Sequence, residues 1–333
     1  MKAHNEPAPQ GGWMGSLWHQ LTARRPTDDS LDQAVERVIQ VADPMIRQAK
    51  GYRKTLGSVV ASASDYFRSL LDTLPGPIPL DRSRYYDDPR VKALFASPDE
   101  LDELLRFSPE INAVRRSGGT GEMVALMTMQ QDERTIFGHR QEGEMLLREV
   151  RQQAVSFSAH RIVGPAADLE TTRAGIVDRG LEVLATAAME RITGLRAQKA
   201  ELEGRKAHLT GMVQMLGGRT RRQGLFAAPT AKNREELGKV EQLLAEVEQE
   251  QEAVRAQIGL PEQSLAILEA ILNQPEQMLS ARRLHLRLNW MGVRVDETPA
   301  EEGSDLNLAE FAMEELHRSA VLVTFTLLPA PPA

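Results

Sequence analysis

The chain has 333 residues, of which 41% are apolar, 26% are charged and none is cysteine, and its formal net charge is −7. The lack of cysteine excludes disulfides, zinc thiolates, iron–sulfur ligation and thiol catalysis. No run of about 18 apolar residues occurs, so we expect no insertion into a membrane. The N-terminus also lacks the continuous apolar core of a signal peptide, so we expect a cytoplasmic protein.

Residues 1–30 form a predicted N-terminal tail that contains a short amphipathic segment. Trp13 opens this segment, and Leu17 and Trp18 share one face with neighbouring apolar residues if the segment is helical. Such a segment is typical of a peptide that docks on a partner or at a membrane surface. It also fits a short helix that folds back onto its own domain. We expect either the fold-back helix or a contact with another protein, in preference to a membrane.

Residues 31–116 are predicted to form a helical region with a heptad seam. Apolar or aromatic residues recur in steps of four and three, a period of 3.5 that is typical of helices packed lengthwise. Asp43-Pro44 interrupts the pattern, so two helices and one kinked helix both fit it. A proline-rich connector and short helices are predicted to follow. The seam residues are Leu31, Val35, Val38, Ala42, Met45, Ala49, Tyr52, Leu56, Val59, Ala63, Tyr66 and Leu70.

The apolar period changes to two over residues 117–167, which predicts antiparallel strands. Met123 and Met127 lie on one predicted face, and Leu126 lies on the other. Gln131-Asp132-Glu133 has the composition of a hairpin turn. Three or four strands therefore fit this segment.

Residues 168–279 are predicted to form an antiparallel coiled-coil hairpin, an arm inserted into the sheet. Leucine or alanine recurs every seventh residue from Leu181 to Leu216, and a second apolar seam runs from Leu237 to Ile258. Gly217-Gly218 is expected to end the first helix. A short connection between heptad helices implies that they are antiparallel. A return helix over residues 233–258 gives an arm of about 39 Å.

Strand patterns return over residues 280–328. Apolar and polar residues alternate from Leu284 to Trp290, which predicts a two-faced strand. Residues 306–313 fit either a strand or a helix. The sequence therefore predicts an α+β fold, in which residues 117–167 and 280–328 form one antiparallel sheet around the inserted hairpin.

The segment from residue 204 to residue 234 has the opposite charge to the rest of the chain. The chain carries −7 and this segment, with seven cations and no acid, carries +7, so the remainder carries −14. The predicted tip of the arm, which is the predicted partner-binding site, holds three of these cations and an apolar pair. An acidic, partly apolar protein surface fits both features, phosphates fit the cations alone, and a solvated loop balanced by the arm's glutamates needs no partner. The five tip residues are Arg219, Arg221, Arg222, Leu225 and Phe226.

No catalytic, nucleotide-binding or metal-binding motif occurs, so we expect no enzymatic activity, cofactor or metal. His139, His160 and His285 lie on predicted strands, where three converging histidines would bind zinc, but half-exposed sheet positions explain them without a ligand. We therefore expect a scaffold or adaptor that holds protein partners or self-associates through its seams. A nucleic-acid-associated protein is the second interpretation, and an enzyme with a pocket on the sheet is the third.

Overall fold

The protein has the predicted α+β fold, in which an antiparallel sheet carries an inserted pair of long helices. The computed structural model describes residues 28–142, 145–224, 231–295, 303–313 and 316–328. Helices pack on both faces of the sheet, so its apolar side chains contribute to two separate cores.

Three of the helices before the sheet begin at a proline that follows a capping side chain. The Met45 backbone N–H donates to Asp43 Oδ1 at 3.1 Å, and Pro44 occupies the first helical position. Asp43-Pro44 therefore separates two α-helices with a 3₁₀ helix between them. Asp88 and Ser97 cap two later helices in the same way. The elements are α1 (Asp28–Ala42), the 3₁₀ helix (Pro44–Gln48), α2 (Tyr52–Leu71), α3 (Arg84–Asp87), α4 (Pro89–Leu94), α5 (Pro98–Phe107) and α6 (Pro109–Arg116).

The sheet has the order β3-β2-β6-β5-β4, and each neighbouring pair is antiparallel. The short β1 adds to β6 in parallel. Residues 306–313, which the sequence leaves open between helix and strand, belong to β5. The strands are β1 (Ile78–Pro79), β2 (Gly121–Glu142), β3 (Met145–Ala166), β4 (Ser280–Leu288), β5 (Ser304–Met313) and β6 (Leu316–Leu327).

The predicted hairpin turn at Gln131-Asp132-Glu133 is wrong. These residues lie inside β2 and pair with Phe157, Ser156 and Val155 of β3. The pairing of β2 with β6 ends at Met129, so β2 and β3 continue beyond it as a two-stranded ribbon. Gln131, Asp132 and Glu133 are polar because this ribbon is exposed to solvent, and not because the chain turns there.

The arm consists of two long helices that run in opposite directions, as predicted. Lys206 Nζ of the first helix lies 2.8 Å from Glu248 Oε1 of the second, and Arg219 and Lys239 line one cavity farther out. Supercoiling of the pair stays a prediction. The helices after β3 are α7 (Leu169–Gly224), α8 (Ala231–Arg255), α9 (Pro261–Leu272) and α10 (Pro275–Met278). The buried seam comprises Ile192, Leu195, Leu202, Leu209, Val240, Val247, Val254 and Ile258.

The first arm helix does not end at Gly217-Gly218, where the sequence predicts its end. Helix α7 continues to Gly224. Neither glycine has the positive φ that a glycine adopts when it ends a helix. A Cβ at either position would meet no atom within 4 Å. The two glycines are therefore bare positions within a continuous helix.

The heptad seam of the N-terminal helices is largely buried inside this one chain. Val38, Leu56 and Ala63 are at most 1% exposed, whereas Met45 is 46% exposed. The seam packs with the base of α7 and with α9 in a single core. Because other parts of the same chain cover this seam, it is not available to a second copy of the protein. Self-association therefore stays a prediction that the seam does not support.

The two faces of the sheet belong to different cores. One face packs on the helical bundle through Leu126, Ala309 and Leu322. The other face, with Met127 and Val323, packs against the short helices α4 to α6. Packing on this second face holds α4 to α6 against the sheet. Packing on the first face holds the base of α7 in the helical bundle.

Candidate interaction surface on the distal arm

The three arginines that the sequence places at the tip lie in the last turns of α7. Arg219, Arg221 and Arg222 are exposed, and none forms an ion pair with another residue that the structure describes. Leu225 and Phe226, the apolar half of the predicted site, lie outside the described residues, as does the predicted docking peptide with Trp13, Leu17 and Trp18. The structure therefore presents the cationic half of the predicted site.

A groove between the two arm helices adjoins these cations. It encloses about 400 Å³ and is lined by apolar side chains together with Arg219, Lys239 and Glu236. The side chain of Met215 is 66% exposed at its edge. The apolar lining residues are Met212, Met215, Leu216 and Val240.

A second hollow shares the same two methionines. It encloses about 520 Å³, and Gly211 and His208 contribute to its wall. A Cβ on Gly211 would meet no atom within 4 Å, so the glycine leaves this helix surface bare. Met212 and Met215 thus line both hollows, and we call this pair the methionine ridge. Methionine side chains are flexible and polarisable, which suits contacts with surfaces of irregular shape.

Sequence reasoning missed this ridge because it followed the heptad positions. Met212 and Met215 lie between the seam positions Leu209, Val213 and Leu216, and an inner seam gives no role to residues between its own positions. The sequence did contain a signal for the ridge, because this part of α7 has more apolar residues than the heptad seam requires. Packing confirms the difference, since Leu209 is buried at 7% exposure and Met215 is not.

Within the described part of the chain, the glutamates of the arm form no ion pair with the tip arginines. Glu248 pairs with Lys206, and Glu235 pairs with Lys239 one turn away on α8 at 2.7 Å. Both pairs use cations other than the three tip arginines. The end of the arm therefore combines three arginines that form no ion pair with a described residue, one glutamate in the groove, Glu236, and the exposed apolar side chain of Met215.

The histidines of the sheet do not form a common site. His160 is on β3 and His285 is on β4, the two ends of the strand order, and the side chain of His139 lies outside the described residues. His285 Nδ1 lies 2.8 Å from Asn307 Oδ1. Within the described ranges, no group of three or more histidine, aspartate or glutamate side chains is placed to hold a metal ion.

His160 instead holds helix α4 against the sheet. Its Nε2 lies 2.9 Å from the Leu94 carbonyl oxygen, and its Nδ1 lies 3.2 Å from Glu100 Oε1. Its ring stacks on Phe95 with the centroids 4.5 Å apart. Burial lowers the pKa of His160 below the ordinary histidine value, and the neighbouring Glu100 carboxylate opposes this shift.

Among the described residues, no helix has both the length and the apolar character to cross a membrane. The chain matches no family model, no curated protein and no solved structure. A function for this protein therefore has to be argued from the geometry and charge of its own surfaces. The distal arm is the surface to which both the sequence and the structure point.

Proposed function

We propose that this protein is a non-enzymatic adaptor that captures an acidic, partly apolar segment of a partner protein at the distal arm. The observation that carries the proposal is the position of Arg219, which lines the same groove as Met212 and Leu216. A partner that places carboxylates on the arginines would bring its apolar side chains onto the methionine ridge. Charge complementarity would steer the encounter, and apolar burial would hold the complex.

Anchoring of the arm's base supports a role as a fixed projection. Arg196 of α7 donates to Asp43 Oδ2 at 2.5 Å, and Asp43 is 4% exposed. Leu184 and Ala188 of the same helix are fully buried in the core of the bundle. Because α7 is continuous from this core to the tip, the surface near Arg219 is held at a distance from the sheet.

The alternative is contact between the tip arginines and the phosphates of a nucleic acid. The exposed cations favour it, whereas the glutamates of α8 would repel a duplex that lay along the arm. The two candidates predict different salt dependence. Three phosphate contacts would weaken binding about 40-fold between 50 and 200 mM salt, while docking on the methionine ridge would weaken far less.

The test compares two changes on the arm. R219E/R221E/R222E reverses the tip charge, and M215Q removes exposed apolar surface at a position where the fold loses little. Each variant is titrated, at several salt concentrations, with an acidic amphipathic peptide, single-stranded DNA and duplex RNA. Affinity capture from a cell lysate runs alongside. K50E/K54E/R191E is the matched control, because it changes the net charge equally at exposed cations away from the tip.

Docking of an acidic protein segment predicts that the tip variant and M215Q both weaken peptide binding, while the control binds normally. Phosphate binding predicts that M215Q leaves DNA or RNA binding unchanged and that binding falls steeply with salt. If the tip variant retains every peptide, nucleic acid and captured protein at wild-type affinity, the adaptor proposal is wrong.

A further inference from the structure

A cleft lies on the face of the sheet that packs against α4 to α6, and no residue of the arm lines it. It encloses about 580 Å³ between the short helices α3 and α4 and the turn that follows β4. Its floor contains the buried side chains of Leu94, Phe157 and Leu288. Tyr86 and Trp290 stand at its rim and are 71% and 78% exposed. A volume of this size is in the range of small-molecule sites.

The turn after β4, which carries Trp290, is closed by a set of hydrogen bonds around Asn289. Asn289 Oδ1 accepts from the backbone N–H groups of Met291 and Val293 at 2.9 and 3.0 Å. The Asn289 N–H donates to the Val293 carbonyl at 2.9 Å, and the Gly292 N–H donates to the Asn289 carbonyl at 2.9 Å. Trp290 is therefore an exposed aromatic residue on a well-bonded turn.

The same turn is fastened to β3, the strand at the other end of the strand order. The Val155 N–H donates to the Gly292 carbonyl at 2.8 Å. Gly292 has φ +75°, and a Cβ there would lie 2.9 Å from the Val155 carbonyl oxygen. Only glycine fits both requirements. Since packing inside the chain leaves most of the Trp290 ring uncovered, its position on the cleft rim is not explained by the stability of the fold.

The opposite wall of the cleft is also fixed to the sheet. His160 of β3 binds the Leu94 carbonyl and stacks on Phe95, and both of these residues line the cleft. The Tyr85 hydroxyl donates to the Ala96 carbonyl at 3.1 Å. A site with two fixed walls loses little conformational entropy when a ligand enters.

The charge at the cleft selects the kind of ligand. Lys92 is the one charged residue among the described residues that line it, and Lys92 forms no ion pair with any of them. A cation held between the aromatic rings of the rim would be repelled by Lys92, whereas a carboxylate would be attracted to it. We propose that the cleft binds a small carboxylate with a flat aromatic body, whose ring lies between Tyr86 and Trp290 and whose carboxylate faces Lys92.

The test follows the Trp290 side chain directly. The protein is labelled with 5-fluorotryptophan, and the Trp290→Phe variant identifies the fluorine signal of this residue among those of the three tryptophans. The labelled protein is titrated with 2-naphthoate, with the neutral 2-naphthalenemethanol and with the cationic 2-naphthylmethylammonium. Lys92→Gln removes the cleft's cation, and Lys54→Gln removes an exposed cation elsewhere as the matched control.

The proposal predicts a saturable shift of the Trp290 signal with 2-naphthoate at millimolar concentration. Lys92→Gln should weaken this binding about two- to fivefold, as expected for one solvent-exposed ion pair, and bring it to the level of the alcohol. Lys54→Gln should leave it unchanged. The proposal is overturned if the Trp290 signal does not move, if the ammonium compound binds as tightly as the carboxylate, or if Lys92→Gln has no effect. Circular dichroism of each variant separates these outcomes from a loss of fold.

Discussion

Replacement of Gly217 and Gly218 by alanine tests the path of α7 through the distal arm. If the helix ended at these residues, a glycine would adopt a left-handed conformation that alanine resists, and the variant would lose stability. The structure gives both residues a helical path with open space at Cβ. Alanine is therefore expected to stabilise the arm, so the two accounts predict effects of opposite sign.

The magnitude follows from helix propensity. Alanine is favoured over glycine within a helix by about 1 kcal/mol per residue, so G217A/G218A is expected to stabilise the distal arm by about 2 kcal/mol. Native-state hydrogen exchange measures this locally, because the end of an arm opens without unfolding the whole domain. Amides of the distal turns of α7 should exchange roughly 25-fold more slowly, since 1.4 kcal/mol corresponds to a factor of about ten.

Gly118→Ala provides the matched control. Gly118 also has open space at the position of a Cβ, but its φ is +85°. Alanine there should destabilise the protein by about 1 kcal/mol, because the left-handed region is unfavourable for residues with a Cβ. Faster exchange of the distal arm amides in G217A/G218A, or a loss of helical circular dichroism, would refute the continuous helix and restore the break that the sequence predicts.

Two further predictions concern the domain. Leu184 is fully buried in the bundle, so Leu184→Ala should lower the free energy of unfolding, measured in urea, by about 2–5 kcal/mol. Leu243 is 40% exposed, so Leu243→Ala should change this free energy by less than about 0.5 kcal/mol. Equal losses in the two variants would contradict the assigned core. Burial lowers the pKa of His160, so as the pH falls the unfolded chain, with an ordinary histidine pKa of about 6.5, takes up a proton before the folded protein does. Stability should therefore decrease as the pH falls through about 6.5, the ordinary histidine value. This decrease should be smaller in His160→Gln, and an unchanged pH profile in the variant would contradict the assignment.

Periodicity was sufficient for the elements whose partners lie close in sequence. The arm follows from heptads on either side of a short connection, and the buried positions Leu195, Leu202 and Val247 are those that the spacing selects. The heptad spacing of apolar residues is enough to predict this packing, because it places them along one side of each helix. The same reasoning located the sheet on both sides of the arm, because a change of period from 3.5 to 2 is a local property.

Periodicity failed where long-range pairing decides the structure. Gln131-Asp132-Glu133 has the polarity of a turn, but pairing with β3 keeps these residues extended. Trp290 continues the alternation of Leu286 and Leu288, yet Asn289 folds the chain into a turn and leaves the indole exposed. The buried face of β4 was thus predicted correctly up to Leu288, and the rim of the cleft could not be found from the alternation.

The composition of the arm changes along its length in a way that fits the proposed docking role. Near the base, Ile192 and Leu195 are at most 5% exposed and pack in a closed seam. Toward the tip, Met212 and Leu216 are only partly buried, and bare glycines lower the helix propensity of the same turns. A stable arm would be better served by leucine and alanine at these positions. We expect this composition where a second surface completes the packing: one exposed and one partly buried methionine, weakly helical turns, and arginines that form no ion pair with a described residue.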